Sequence, residues 1–177
     1  MTLPGEALSP ALQAVVGEVE AHVAEAGWDQ PAQLFALVQT EQLLRAEPAL
    51  ARTMGLVAEN PAALTPIAQE SLGDGPLDEQ LASLVFGAEV LGVVLLHEVL
   101  VLPPAAEAAL EDADDPTAVA ATHPQRREVR MGVGVTRGGA RAGVLRLRSQ
   151  DGSADELVTG PDLAPALSAA LLATLDD

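Results

Sequence analysis

The chain has 177 residues, a formal net charge of −17 at pH 7 and 49% apolar residues, and its only aromatic side chains are Trp28, Phe35 and Phe86. A length of this order closes one hydrophobic core and is short for two, so a single domain over residues 1–177 is expected, with a core of Ala, Val and Leu that relies on many small contacts. Without cysteine or lysine, disulfides, thiolate metal sites, thiol nucleophiles, a phosphate-loop lysine and a Schiff-base lysine are all excluded.

In chain order, the start MTLPGEALSP has neither the basic nor the apolar region of a secretory signal, and a cytoplasmic protein is expected. Ser9-Pro10 reads as an N-cap followed by a first-turn proline, and Leu12, Val15, Val16, Val19, Val23 and Ala26 then recur at helical spacing up to a stop at Gly27. Residues 34–40, LFALVQT, read as a strand whose Thr40 caps a helix that Pro48 breaks or restarts. Residues 60–66 are loop-like, and TPIAQESL over 65–72 reads as an edge strand. Asp74-Gly75-Pro76 opens a helix with Leu77, Leu81, Leu84 and Val85 on one face, ending near Gly87.

Residues 88–102 are apolar on both alternating faces, are rich in valine and end at Pro103-Pro104, which predicts a strand buried on both sides. The run is too short and too polar, at His97 and Glu98, to cross a membrane. The acidic stretch EAALEDADDP reads as a linker or short helix, and Asp115-Pro116 starts a further helix towards His123-Pro124. A β-hairpin follows, and Gly160-Pro161 starts a closing helix with Leu163, Leu167, Leu171 and Leu175.

Charge is distributed unevenly. Residues 1–125 carry a balance of −17, residues 126–148 carry +6 and residues 149–177 carry −6. So acidic a body repels a phosphate backbone, which argues against nucleic-acid binding despite the basic segment. That segment is the hairpin, REVRMGVGVTRGGARAGVLRLRSQ, with glycines at its turn. A two-residue loop would mix apolar and charged residues on one face, whereas a three- or five-residue connection sets Val133 opposite Leu145 and Met131 opposite Leu147. The other face then carries Arg130, Gly132, Gly134, Val144, Arg146 and Arg148, with Arg130 directly across from Arg148.

Like charges at that position are destabilising unless something negative lies between or above them. One source is internal, namely carboxylates of residues 107–115 or 151–156 forming exposed ion pairs. The other is external: Arg130, Arg146, Arg148, Arg137 and Arg141 are candidates for binding a phosphate, a carboxylate ligand or an acidic protein segment through bidentate guanidinium geometry. Gly132 and Gly134 look like a phosphate cradle, but glycines alternating on a strand more often admit a close-packed helix.

The remaining candidates are sparse. His22 is a helix-end histidine near Glu18 and Glu25. His97 and Glu98 point to opposite faces of a strand and cannot share a metal or a proton. His123 is a turn residue, and no histidine pair has zinc-ligand spacing. No serine sits in a nucleophile elbow. Trp28, just past a helix stop, is a core plug or lid, or an interface anchor if exposed. No catalytic, cofactor-binding or metal residue is therefore assigned.

The blocks AGWDQPAQLFALVQT, THPQRREVRMGVGVTRGGARAGVLRLRS and TGPDLAPALSAALLATL resemble a family of small acidic actinobacterial proteins of unknown function. The resemblance covers nearly the whole chain and implies an actinobacterial, cytoplasmic, single-domain protein. It implies no activity.

The expected fold is α+β, a mainly antiparallel sheet with helices packed on it and a helix at each end of the chain. The expected function is that of a non-enzymatic binding or adaptor protein using the arginine-bearing hairpin face for an acidic partner or an anion. The alternative is an enzyme acting on a small anionic substrate held by Arg130, Arg146 and Arg148, which needs an enclosed pocket shared with an acid or base such as His97, Glu98 or His123. Leftover Leu and Val surface points to a homodimer.

Overall fold

The computed structural model describes residues 4–55, 64–69, 77–102, 105, 108, 111–115, 118–119, 126–149, 154–161 and 163–175, with side chains from residue 10 onward, Asp78 excepted. Its elements are α1 (Pro4–Ala24), β1 (Gln33–Gln39), α2 (Thr40–Ala46), α3 (Pro48–Thr53), β2 (Leu64–Ala68), α4 (Leu77–Ala82), β3 (Gly92–Val101), β4 (Arg127–Thr136), β5 (Arg141–Leu147), β6 (Glu156–Thr159) and α5 (Pro165–Ala173). The strands form one open sheet in the order β2-β1-β3-β4-β5-β6. Every neighbouring pair is antiparallel, as the α+β reading requires.

The two terminal helices cover opposite faces. The α1 stripe of Leu12, Val15, Val16, Val19 and Val23 packs on Phe35, Leu37, Val94, Leu96, Ala142 and Val144. On the other side, Leu81 of α4 and Leu171 and Leu175 of and after α5 pack on Leu34, Ala36, Val93, Leu95, Val133 and Val135. Each buried Val or Leu contributes about 1.5–3 kcal/mol, so two layers of small side chains replace the missing aromatics. β3 is apolar on both faces because a helix covers each; past Leu96 the cover thins, and Leu100 and Val101 are exposed.

Gly134 explains how closely α1 approaches. A Cβ there would lie 2.6 Å from Val16 Cγ2 and 3.0 Å from Leu12 Cδ1, and one at Gly132 would meet Leu96 and Val144. The alternating glycines therefore admit the helix, not a phosphate.

The hairpin connection has three residues, Arg137 to Gly139, closed by Thr136 N–H donating to Ala140 O at 3.0 Å. Gly139 supplies the positive φ, 91°, that this turn needs. The odd-numbered loop is as expected, but the pairing is shifted by two residues. Val133 faces Gly143, Met131 faces Leu145, and Arg130 faces Arg146 instead of Arg148. A shift of two preserves which face each side chain occupies, so the sorting of arginines to one face survives the change of partner.

Other boundaries also move. Pro10 sits inside α1 and not at its start, in the second turn, where its missing N–H costs one helical hydrogen bond. Gln39, not Thr40, is the N-cap of α2; Thr40 is buried and its hydroxyl pairs with that of Thr65 at 2.8 Å. This helix-to-strand pairing satisfies both buried hydroxyls, which a cap would not do for Thr65. Pro48 does restart the helix, as α3, and β2 lies at the expected sheet edge. Val85 follows the end of α4 and is exposed. The last helix begins at Pro165, leaving Leu163 ahead of it, and β6 was not anticipated. Asp115 Oδ1 accepts from Ala118 N–H at 3.2 Å, a capping contact where the short helix was expected. The readings at 74–76, 103–104 and 123–124 lie outside the described residues. Among the described residues no helix is long and apolar enough to cross a membrane.

Candidate functional site

Strand parity brings Arg130, Arg146 and Arg148 to the α1 face at the open end of the β4–β5 hairpin, beyond the stretch where α1 rests on glycine. There the helix offers Glu20, one turn past Val16 and therefore in its buried stripe. Glu20 and Arg130 are each only 1% exposed. Arg146 grips Glu20 bidentately, Nε to Oε1 at 2.5 Å and Nη2 to Oε2 at 2.8 Å, and Arg130 Nη1 lies 3.6 Å from the same carboxylate. At that distance the contact is electrostatic, and Nη1 is buried without a hydrogen-bond partner among the described residues.

The other side of Arg130 orders the turn after α1. Glu98 stands directly across from it on β3. Arg130 Nη2 donates to Glu98 Oε2 at 3.3 Å and also to the carbonyl of Gly27. The Glu98 carboxylate in turn accepts from Asp29 N–H at 2.8 Å and Gln30 N–H at 3.0 Å. Asp29 is held in the left-handed region, φ 65°, and those hydrogen bonds offset part of its cost.

Trp28 follows in the same turn, its ring 4.7 Å from the guanidinium carbon of Arg130 and 5.5 Å from that of Arg148, within cation–π range. Arg148 pairs with Glu128, both side chains 40% exposed. Its pKa is raised above the ordinary arginine value, chiefly by that hydrogen bond, and Glu20 raises that of Arg146 in the same way. Asp155 reaches Arg146 only at 3.9 Å and accepts from Ser149 N–H at 2.8 Å.

The carboxylates that meet these arginines thus come mainly from α1, β3 and β4. Of the segments expected to supply them, 107–115 and 151–156, the described residues contribute Asp155 alone. Glu20 was missed, although its place four residues after Val16 and one after Val19 put an acid inside an apolar stripe.

Two of the five candidate arginines lie elsewhere. Arg137 is at the turn, about 23 Å along the strand from Arg130 at roughly 3.3 Å per residue. Its guanidinium donates to carbonyls: Nε to Val90 at 2.8 Å, Nη2 to Phe86 at 2.9 Å and Gly87 at 2.8 Å, and Nη1 to Leu175. It ties the end of α5 to the loop before β3, a favourable use of a cation at a helix C-terminus. Arg141, exposed beside the same turn, pairs across the ladder with Val135.

The histidines do not join the cluster. His97 faces the α5 side, and its Nε2 is buried without a partner among the described residues; burial pushes its pKa below the ordinary histidine value. His22 is exposed, 3.8 Å from Glu25, and His123 lies outside the described residues. A crevice does bring Arg130, Glu98, His97 and Gln30 together, but it is too narrow to admit a water molecule. A wider groove, about 310 Å³, lies between α1 and the β2 edge over Phe35 and Pro66, with Glu18 and His22 at its rim. Among the described residues no group of three or more His, Cys, Asp or Glu side chains is placed to hold a metal ion.

Fold and site together define an antiparallel α+β protein with a buried arginine–glutamate cluster that locks its first helix to its sheet. The chain belongs to the family of PPA1309-like proteins, whose sequence profile matches residues 12–176. No curated relative and no solved structure matches the chain.

Proposed function

We propose that this is a non-enzymatic, cytoplasmic binding or adaptor protein that meets an acidic partner or an anion with the outer corner of its arginine face, Arg148 and Trp28. The observation that carries this reading is the unequal engagement of the three arginines. Arg130 and Arg146 are held by buried Glu20 and by Glu98, whereas Arg148 is joined to Glu128 in a half-open pair beside the indole. An exposed ion pair contributes little, so a carboxylate or phosphate from a partner can replace Glu128 without opening the buried cluster. Tryptophan and arginine are also the residues that most often anchor an interface.

The alternative, an enzyme acting on a small anionic substrate, has less support. Arg130 and Arg146 are engaged by acids, and the crevice that joins Arg130 to His97 and Glu98 has no room for a substrate. The reading includes an actinobacterial source, on the lysine-free, alanine-rich composition, and self-association into a homodimer, on the exposed Leu and Val side chains of the sheet.

Trp28 is the chain's only tryptophan, so its fluorescence reports this corner directly. Titration with phosphate, sulfate and a poly-glutamate peptide should shift the emission saturably and raise the thermal midpoint, because a ligand of the folded state stabilises by mass action. Arg148→Ala should abolish both effects while the chain stays folded. If neither emission nor midpoint responds in the parent, the arginine face is scaffold and the binding reading falls.

A further inference from the structure

An open sheet ends in two strands that, among the described residues, each leave one hydrogen-bonding edge unpaired, here β2 and β6. The two edges are not equivalent. Gln69 N–H donates inward to Leu34 O at 2.9 Å, so by the two-residue alternation of an antiparallel ladder the nitrogen of Pro66 faces outward. That proline removes a donor from the outer edge of β2 and blunts it. At β6, Gly160 N–H donates inward to Gly143 O at 3.1 Å, so Glu156 and Val158 address β5 while Leu157 and Thr159 direct N–H and C=O outward. β6 has no proline and no basic residue, all of its side chains are exposed, and Leu157 and Val158 are 51% and 38% accessible.

We propose that the β6 edge docks a second copy of this chain, strand against strand, about a two-fold axis perpendicular to the sheet. This rests on the self-association reading above and names its surface. One register satisfies the edge: Leu157 opposite Thr159 of the second copy, with Val158 opposite its own counterpart at the axis. The outward N–H and C=O groups of Leu157 and Thr159 then pair with each other, and the two Val158 side chains meet. Glu156 falls opposite Gly160, so no acid faces an acid.

The self-complementary register favours a second copy as the occupant, and charge opposes it less at β6 than at β2. Copies of a chain with net charge −17 repel, but residues 126–160, which include β4, β5 and β6, carry a balance of +3, and still +1 once Glu20 and Glu98, which engage Arg146 and Arg130, are counted with them. The β2 edge belongs to the first 125 residues, which carry −17. Of the two edges, β6 is therefore the one along which repulsion between copies is smaller. The strand is only 4 residues long, against roughly 20–30 residues a side in a stable interface, so the dimer forms and dissociates with concentration.

Sedimentation velocity of the full chain from micromolar to millimolar concentration tests this. The parent's weight-average sedimentation coefficient should rise with concentration towards that of a dimer. Leu157→Pro, which removes an N–H that does not serve β5, should remain monomeric with an unchanged circular dichroism spectrum. Val158→Lys keeps every backbone hydrogen bond and places two ammonium groups face to face at the axis, so it too should stay monomeric; it decides the matter if the proline variant misfolds. A parent that is monomeric at millimolar concentration overturns both self-association and its surface. A parent that dimerises while a folded Val158→Lys dimerises equally well overturns the β6 edge and leaves self-association standing.

Discussion

The two faces of the sheet are built from alternate residues of the same strands, yet they treat polar groups in opposite ways. On the α1 face the covering helix carries Glu20 down onto Arg146 and Arg130, and Glu98 completes the set from the neighbouring strand. On the α5 face His97 extends beyond the helix-covered stretch, and its buried Nε2 has no partner among the described residues. Charge is retained in the interior only where the geometry supplies a counter-charge and hydrogen bonds. Where it does not, the titratable group is held neutral by burial, which is the direction in which the His97 pKa moves.

The largest expected effect comes from breaking the charged face. Glu20→Gln leaves Arg130 buried and Arg146 without its bidentate partner, and removal of one partner from a buried pair costs about 3–5 kcal/mol. Urea denaturation followed by Trp28 fluorescence measures it. A loss below about 1 kcal/mol, the range of exposed pairs, would mean that the cluster relaxes into solvent and that the two faces do not differ as described.

The apolar part of the same face gives the next effect. Gly134→Ala places a methyl group 2.6 Å from Val16 Cγ2, and overpacking of this kind costs about 1–3 kcal/mol. Adding Val16→Ala should recover part of the loss, a non-additivity that a double-mutant cycle detects. Additive losses would show that α1 is not seated on the glycine pair.

The α5 face gives the smallest effect, and it depends on pH. The folded-state pKa of His97 lies below its unfolded value. As pH falls below about 6.5, the ordinary histidine pKa, the unfolded chain therefore takes up a proton that the folded chain refuses, and stability is lost. His97→Leu should flatten the stability profile between pH 7 and 5 relative to the parent, by less than the one proton this group can contribute. Parallel profiles would place His97 in contact with water in the folded chain.

Much of this architecture was legible. The stripe from Leu12 to Val23 required one covering helix, the doubly apolar run ending near Leu102 required a central strand, and the glycines at 132 and 134 marked a close approach. What failed was mostly local chemistry redirected by a distant neighbour. Thr40 was expected to cap α2, and a hydroxyl partner on β2 drew it into the core instead. β6 escaped notice because 4 exposed residues next to acids carry no burial pattern, and only pairing with β5 makes them a strand. Arg137 was grouped with the other arginines by sequence proximity, although seven residues of extended chain separate it from Arg130.

From the sequence alone come the fold class, the helix-covered sheet and the confinement of Arg130, Arg146 and Arg148 to one face, because a period of two fixes side for every residue of a strand. The identity of what neutralises them came only with the tertiary structure. Glu20 and Arg146 are separated by 126 positions, and nothing local to either specifies the other. Even the hairpin register was undetermined, since pairings that differ by two residues sort the faces identically. The choice between Arg146 and Arg148 opposite Arg130 was left to the turn geometry at Gly139 and to a helix more than a hundred residues away.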